Sequence, residues 1–140
     1  MQIKTLKFSV TTKGKNDIID ITEQVQIKLK ETGFNEGNVL IFAPGSTAGI
    51  TTIEYEPGLL KDYPEFFEKI APSDIRYHHD ETWHDANGYA HVRASLQGGS
   101  YSVPFIDSKL MLGTWQQIVL IDFDNRSRSR NVIVQFTGVK

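Results

Sequence analysis

The chain has 140 residues with 15 Lys and Arg, 17 Asp and Glu, 4 His and no Cys, giving a formal net charge of -2 and a sequence pI near 6.1. That length suits one domain, residues 1–140; the missing Cys excludes disulfides, thiolate-bound zinc, iron–sulfur clusters and a Cys nucleophile, and the near-neutral charge argues against a general nucleic-acid binder. No apolar run approaches the roughly 20 residues of a membrane span and residues 1–10 carry no signal-peptide core, so we expect a soluble cytoplasmic protein with neither a nucleic-acid nor a membrane partner.

Ile3, Leu6, Phe8 and Val10 lie in a strand-like run, and residues 17–21 form a second candidate after the turn signal at Gly14-Lys15-Asn16-Asp17. Asp20 as N-cap with Glu23 three positions on makes a capping-box pattern. Ile21, Val25 and Leu29 then recur at helical spacing, and Gly33 is placed to end the helix. Residues 38–43 read as a buried strand and residues 50–55 as another. Residues 56–72 read as helix interrupted at Pro64, which lacks an amide to donate, with Asp62 and Glu65 placed to recap a second short helix. Strand signals return at 91–96, 100–106, 113–123 and 131–139. The expected class is therefore α+β: one compact domain with an extensive antiparallel sheet or sandwich and two helical segments in the N-terminal half.

All four histidines, His78, His79, His84 and His91, fall within residues 78–91 beside Asp80, Glu81, Trp83, Asp85 and Asn87. Neutral imidazole binds borderline metals, and a neighbouring carboxylate fixes its tautomer. The cluster is thus a candidate metal or acid–base site, in a segment read as a polar loop leading into a strand. None of the standard zinc-enzyme spacings is present. The small-residue turn Pro44-Gly45-Ser46-Thr47-Ala48-Gly49 is either an ordinary hairpin turn or a loop whose amides and hydroxyls approach an anion; it is not a P-loop. In extended chain Asp122 and Asp124 share a face, as do Arg126, Arg128 and Arg130. That pattern suits either a pyrophosphate site or a charged hairpin tip whose Asp and Arg pair with each other. Trp115 could stack on a planar ligand with Gln116 reading its edge, and Glu54 is a candidate base if buried.

Three segments together resemble the YjbQ family, some of whose members are described as secondary thiamine-phosphate synthases. They are Pro44-Gly45-Ser46-Thr47-Ala48-Gly49-Ile50-Thr51, His79-Asp80-Glu81-Thr82-Trp83 followed by Asp85-Ala86-Asn87-Gly88-Tyr89-Ala90-His91, and Leu112-Gly113-Thr114-Trp115-Gln116-Gln117 running into Asp122-Phe123-Asp124-Asn125-Arg126. The resemblance implies an α+β homotrimer with its polar motifs at a shared cleft. It implies catalytic roles for His79, Asn87, His91 and Glu54, and ligand contacts from Ser46, Thr47, Arg93, Trp115, Gln116, Asp122, Asp124, Arg126 and Arg128. His79 and His91 would be metal ligands, the ion being Mg²⁺ or Zn²⁺. Many members carry His where this chain has Gly45 and Tyr89, so a site built on those imidazoles would be two ligands short here. The implied reaction joins a pyrimidine methyl pyrophosphate to a thiazole phosphate and expels pyrophosphate. The alternatives are metal-assisted hydrolysis of a small phosphorylated compound and a non-catalytic trimeric module that binds a small molecule or metal.

Overall fold

β1 (Gln2–Thr12) alternates inward Leu6, Phe8 and Val10 with outward Thr5, Lys7 and Ser9, and pairs antiparallel along its whole length with β8 (Arg128–Val139). The computed structural model, which describes residues 1–140, extends this pair through β3 (Glu36–Phe42), β5 (Ser100–Ile106) and β6 (Lys109–Leu110) into a sheet of order β1-β8-β3-β5-β6. A smaller sheet has β7 (Gln116–Asp122) between β2 (Asp17–Asp20) and β4 (Ala48–Glu54), again antiparallel.

The run Ile118-Val119-Leu120-Ile121 explains how the layers stack. Ile118 and Leu120 face the large sheet in a core with Val132, Val134 and Phe136 of β8 and with Ile21, Val25 and Leu29, the last two on α1 (Thr22–Thr32). Val119 and Ile121 face the other way, joining Phe67, Tyr89, Ala90 and Ala94 in a second core beneath two helices. A strand covered on both faces reads as unbroken apolar sequence, and this one does. The class is α+β with extensive antiparallel sheet, as expected.

Three local expectations fail. Ile21, not Asp20, is the α1 N-cap residue; the Asp20 carboxylate accepts from the Thr22 amide at 3.0 Å and hydroxyl at 2.7 Å instead. Pro64 does not interrupt α2 (Pro57–Ile70), which is capped by the Glu56 side chain accepting from the amides of Gly58 and Leu59. Phe67 accounts for its continuity: the ring packs edge-on against Tyr63 before the proline and Phe123 beneath, fixing both halves to one core. The third failure bears on the site. Residues 91–96 are not a strand but part of α4 (Gly88–Gln97), preceded by the short α3 (His78–Trp83). The chain therefore has two helices beyond those expected. After Gly88, the buried positions of α4 are Tyr89, Ala90, Arg93 and Ala94, a helical period, whereas Val92 and Leu96, which mimic strand alternation, face solvent. Gly49 lets this helix close on β4: a Cβ there would lie 2.5 Å from the Gln97 side chain and 2.8 Å from the Gly98 carbonyl.

Candidate functional site

Asp122 and Asp124 close the face of β7 that begins with Ile118 and Leu120, and both are fully buried. Arg130, on β8, holds Asp122 in a fork, with Nε to Oδ2 at 2.9 Å and Nη2 to Oδ1 at 2.7 Å. The Thr12 hydroxyl donates to the same carboxylate at 2.5 Å and the Asp124 amide at 3.0 Å. Arg128 donates to Asp124 Oδ2 through Nε at 3.0 Å and Nη2 at 2.6 Å, joined by Thr47 Oγ1 at 3.1 Å and by Asn87 Nδ2 to Oδ1 at 3.2 Å. Burial alone would raise both carboxyls. The hydrogen bonds outweigh it, those from Arg130 and Thr12 at Asp122 and those from Asn87, the Asn125 amide and Arg128 at Asp124, so both lie below the usual carboxylate range. Both aspartates are charged and fully engaged.

Each arginine keeps its Nη1 free of any partner within the chain, and both side chains line a cleft of about 340 Å³. Ser46, Thr47, His79, Asn87 and His91 line it as well, with Trp83 and Asp85 at α3 and the turn that follows. Gly45 has φ +128, a backbone conformation that favours glycine, and a Cβ there would come within 3.4 Å of the Arg130 Nη1. The rings of His79 and His91 stack with centroids 4.1 Å apart and planes tilted 36°. Burial, then the neighbouring His79, holds His91 below the ordinary imidazole range, so it is neutral at pH 7. His79 Nδ1 lies 3.7 Å from Asp85 Oδ1 and 3.9 Å from Asp80 Oδ1, and it is buried without a hydrogen-bond partner, as is Asn87 Oδ1. Buried polar atoms are almost always paired, and both orphans belong to residues that line this cleft.

His79 and His91, the Ser46-Thr47 turn and the Asp–Arg segment thus converge, while His78 and His84 are exposed outside the cleft. Asp122 and Asp124 lie beneath the cleft rather than in it. Five other expected residues stand apart. Arg93 is completely buried: it donates twice to the Ala71 carbonyl and once to Asn16 Oδ1, lies 3.0 Å from Glu68 and packs over the Tyr89 ring, leaving no donor for a ligand. Glu54 and Gln116 are cross-strand partners at the far end of the small sheet, six residues of strand, roughly 20 Å, from the Ala48–Asp122 pair. Gln116 bonds Thr52, Tyr101 and Gly113, Glu54 is exposed, and Trp115 is 72% exposed beside them. Arg126 is exposed in the turn that carries the chain from β7 in the small sheet to β8 in the large one. Arg130 is the residue the ligand set lacked, although its alternation with Arg128 was visible. A larger hollow, about 490 Å³, is lined by Asp20, Glu23 and amide and apolar side chains with no cation or imidazole, which leaves it without comparable chemistry.

The donor sets decide which metal fits. Mg²⁺ prefers carboxylate oxygens and water, and Asp122 and Asp124 have none to give. His79, Asp80 and Asp85 present donor atoms within 4.8 Å of one another, a set suited to a borderline divalent ion.

A model of the family described as UPF0047 protein YjbQ-like matches residues 6–139. A UPF0047 protein of Archaeoglobus fulgidus is 40% identical over 130 residues, 93% of this chain and 98% of its own. The UPF0047 protein YugU of Bacillus subtilis is 36% identical over 138 residues, 97% and 99% of the two chains. Among solved structures, a hypothetical protein of Aeropyrum pernix is 30% identical with a TM-score of 0.89, covering 96% of this chain and 98% of that one. An uncharacterized YjbQ/UPF0047 protein of Clostridium acetobutylicum is 35% identical with a TM-score of 0.86, covering 94% and 99%.

Proposed function

The chain belongs to the UPF0047 YjbQ-like family, and from that premise we propose that its cleft binds a phosphorylated small molecule and catalyses transfer with loss of pyrophosphate, as in a thiamine-phosphate synthase. One observation carries this reading: Arg128 and Arg130, each locked by a buried aspartate with its Nη1 left unpaired, line the same cleft as the His79–His91 pair. Because the two aspartates cancel the two arginines, an anion is held by directed donors rather than by net positive field.

In the proposed reaction the bond between the pyrimidine methyl carbon and the pyrophosphate oxygen breaks, its electron pair leaving with pyrophosphate. The thiazole nitrogen supplies the pair for the new C–N bond and becomes positively charged, and no proton is exchanged. The barrier lies in charge developing on the leaving oxygen. Pre-placed guanidinium donors stabilise it, each tenfold in rate requiring about 1.4 kcal/mol. The imidazoles complete the set as donors to the pyrophosphate oxygens. Incubation of the purified protein with both substrates should yield thiamine phosphate and pyrophosphate, with His79→Ala and His91→Ala abolishing turnover. No product above a heat-denatured control refutes the reading.

The orphaned His79 Nδ1 beside Asp80 and Asp85 favours a second reading, metal-assisted hydrolysis of a phosphorylated compound. A bound divalent ion would supply a water of lowered pKa. Phosphate release that is lost on chelation and restored by Zn²⁺ would select it.

We also propose a cytoplasmic homotrimer. No helix is long and apolar enough to cross a membrane. The outer face of the large sheet carries Leu40, Phe42 and Ile106 exposed with no covering element, which is surface that association would bury.

A further inference from the structure

A second hollow of about 250 Å³ shares Gly45, Ser46 and His91 with the arginine-lined cleft, so the two are lobes of one groove. Their chemistry differs sharply. The first lobe holds both guanidinium groups. The second is walled by Ala48, Ala94, Ser95 and Gly99 and contains no cation and no carboxylate, so it offers nothing to neutralise a charge. Ala48 and Ala94 are buried wall, and the backbone and hydroxyls supply hydrogen bonding at modest cost. Each lobe alone is near or below the lower end of ligand-pocket volumes, roughly 300–1,000 Å³, while the two joined fall well within it.

We infer that the ligand lies along both lobes, with its phosphate or pyrophosphate head on Arg128 and Arg130 and an uncharged, ring-sized body in the slot between the start of β4 and the second half of α4. His91, the one titratable residue common to both lobes, stands at the seam, beside the bond that joins body to head. This inference rests on the reading of the first lobe as an anion site and adds to it the class of the body. It also puts the ring far from Trp115 and Gln116, at the opposite end of the small sheet.

Two substitutions fill the slot from different walls. Ser95 is exposed on α4 and its hydroxyl bonds only the His91 carbonyl, so Ser95→Leu adds bulk where a better helix former is tolerated. Gly99 accepts a Cβ in ordinary contact with Ala43 and Phe42, at 3.6 and 3.8 Å, so Gly99→Leu is sterically open at its base. Isothermal titration would use inorganic pyrophosphate and the pyrimidine methyl pyrophosphate as probes. In the unmodified protein the ester should bind about tenfold or more tighter than pyrophosphate, the range one well-placed apolar contact commands. Ser95→Leu and Gly99→Leu should bring the ester down to the pyrophosphate level while pyrophosphate itself is held within about twofold. Retained pyrophosphate binding with an ester affinity indifferent to both fillings overturns the slot alone. Loss of both probes on filling overturns it as well. Failure of the unmodified protein to bind pyrophosphate overturns the anion reading beneath it.

Discussion

Replacing Arg130 by Met removes the forked counterion of a carboxylate that no water reaches. Asp122 would keep the Thr12 hydroxyl and the Asp124 amide, two neutral donors, against the charge-assisted pair it loses at 2.9 and 2.7 Å. Breaking a buried ion pair by deleting one partner costs about 3–5 kcal/mol, because the surviving charge stays buried. For a chain of this length that is a fall in Tm on the order of 10–20 °C. The pH dependence identifies the cause. In the unmodified protein the Asp122 carboxyl is held below its ordinary value, so its pairing stabilises the fold above the unfolded carboxylate range, near pH 4, and is lost as pH falls through the lower folded value. In Arg130→Met only the two neutral donors still oppose burial, and the folded value rises above the unfolded one. The penalty is then full at neutral pH and shrinks on acidification as the carboxyl takes up a proton. Urea unfolding at pH 7.5 and pH 5 should therefore show the gap between the two proteins narrowing at the lower pH, and Asp122→Asn in the Arg130→Met background should recover part of the loss at pH 7.5. Arg126→Met, in an exposed turn, should stay within about 0.5 kcal/mol. If Arg130→Met costs no more than Arg126→Met, or its cost is independent of pH, the buried network does not carry the stability assigned to it.

Arg93→Met should destabilise by a smaller amount, about 1–3 kcal/mol, because it strands the buried Ala71 carbonyl and cuts the tie between α4, the end of α2 and Asn16 in the β1–β2 turn; it should leave pyrophosphate affinity unchanged when measured well below the new Tm, and a selective loss of affinity would return Arg93 to the ligand set. His91 should titrate below 6.5 by proton NMR, as burial and His79 dictate. Its unfolded form takes up a proton first as pH falls, so stability should decline from about pH 6.5 downward, a slope that His91→Gln removes; a midpoint above 6.5 contradicts the neutral imidazole on which the cleft's chemistry rests.

How legible each part was depends on where its partners lie. The β7 run announces a strand buried on both faces, and the shared face of Asp122 and Asp124 follows from strand alternation alone. The histidine cluster reports itself by proximity in sequence. Residues 91–96 did not, because His91, Arg93 and Ser95 alternate with Val92, Ala94 and Leu96 and so imitate period two. What makes the segment a helix is the burial of Arg93, and the groups that permit it, Asn16, Glu68 and Ala71, come from distant segments. Pro64 misled for the same reason, since the contact that overrides it is with Phe123. Glu54, Trp115 and Gln116 stand out by residue type and by the family resemblance, neither of which says where along the small sheet they lie. A strand has two ends, and the β4–β7 register puts Glu54 and Gln116 at the one opposite Asp122.

That geometry also accounts for what the site is made of. Along β8 the inward residues run Phe136, Val134, Val132 and then Arg130 and Arg128; along β7 they run Ile118, Leu120 and then Asp122 and Asp124; along β1, Leu6, Phe8, Val10 and then Thr12. All three strands turn polar toward the same end of the core, β8 one inward position ahead of β1 because Arg130 pairs with Val10 and Arg128 with Thr12, so the cleft floor is the end of the core with opposite charges substituted across it. A layer of that kind is stable only when every member is satisfied. The aspartates are consequently unavailable to a metal, and the arginines are held by two nitrogens each with the third left over. The same interdependence that gives the core its register therefore fixes two guanidinium donors in place before any ligand arrives, so an anion would meet them without the entropic cost of ordering two long side chains.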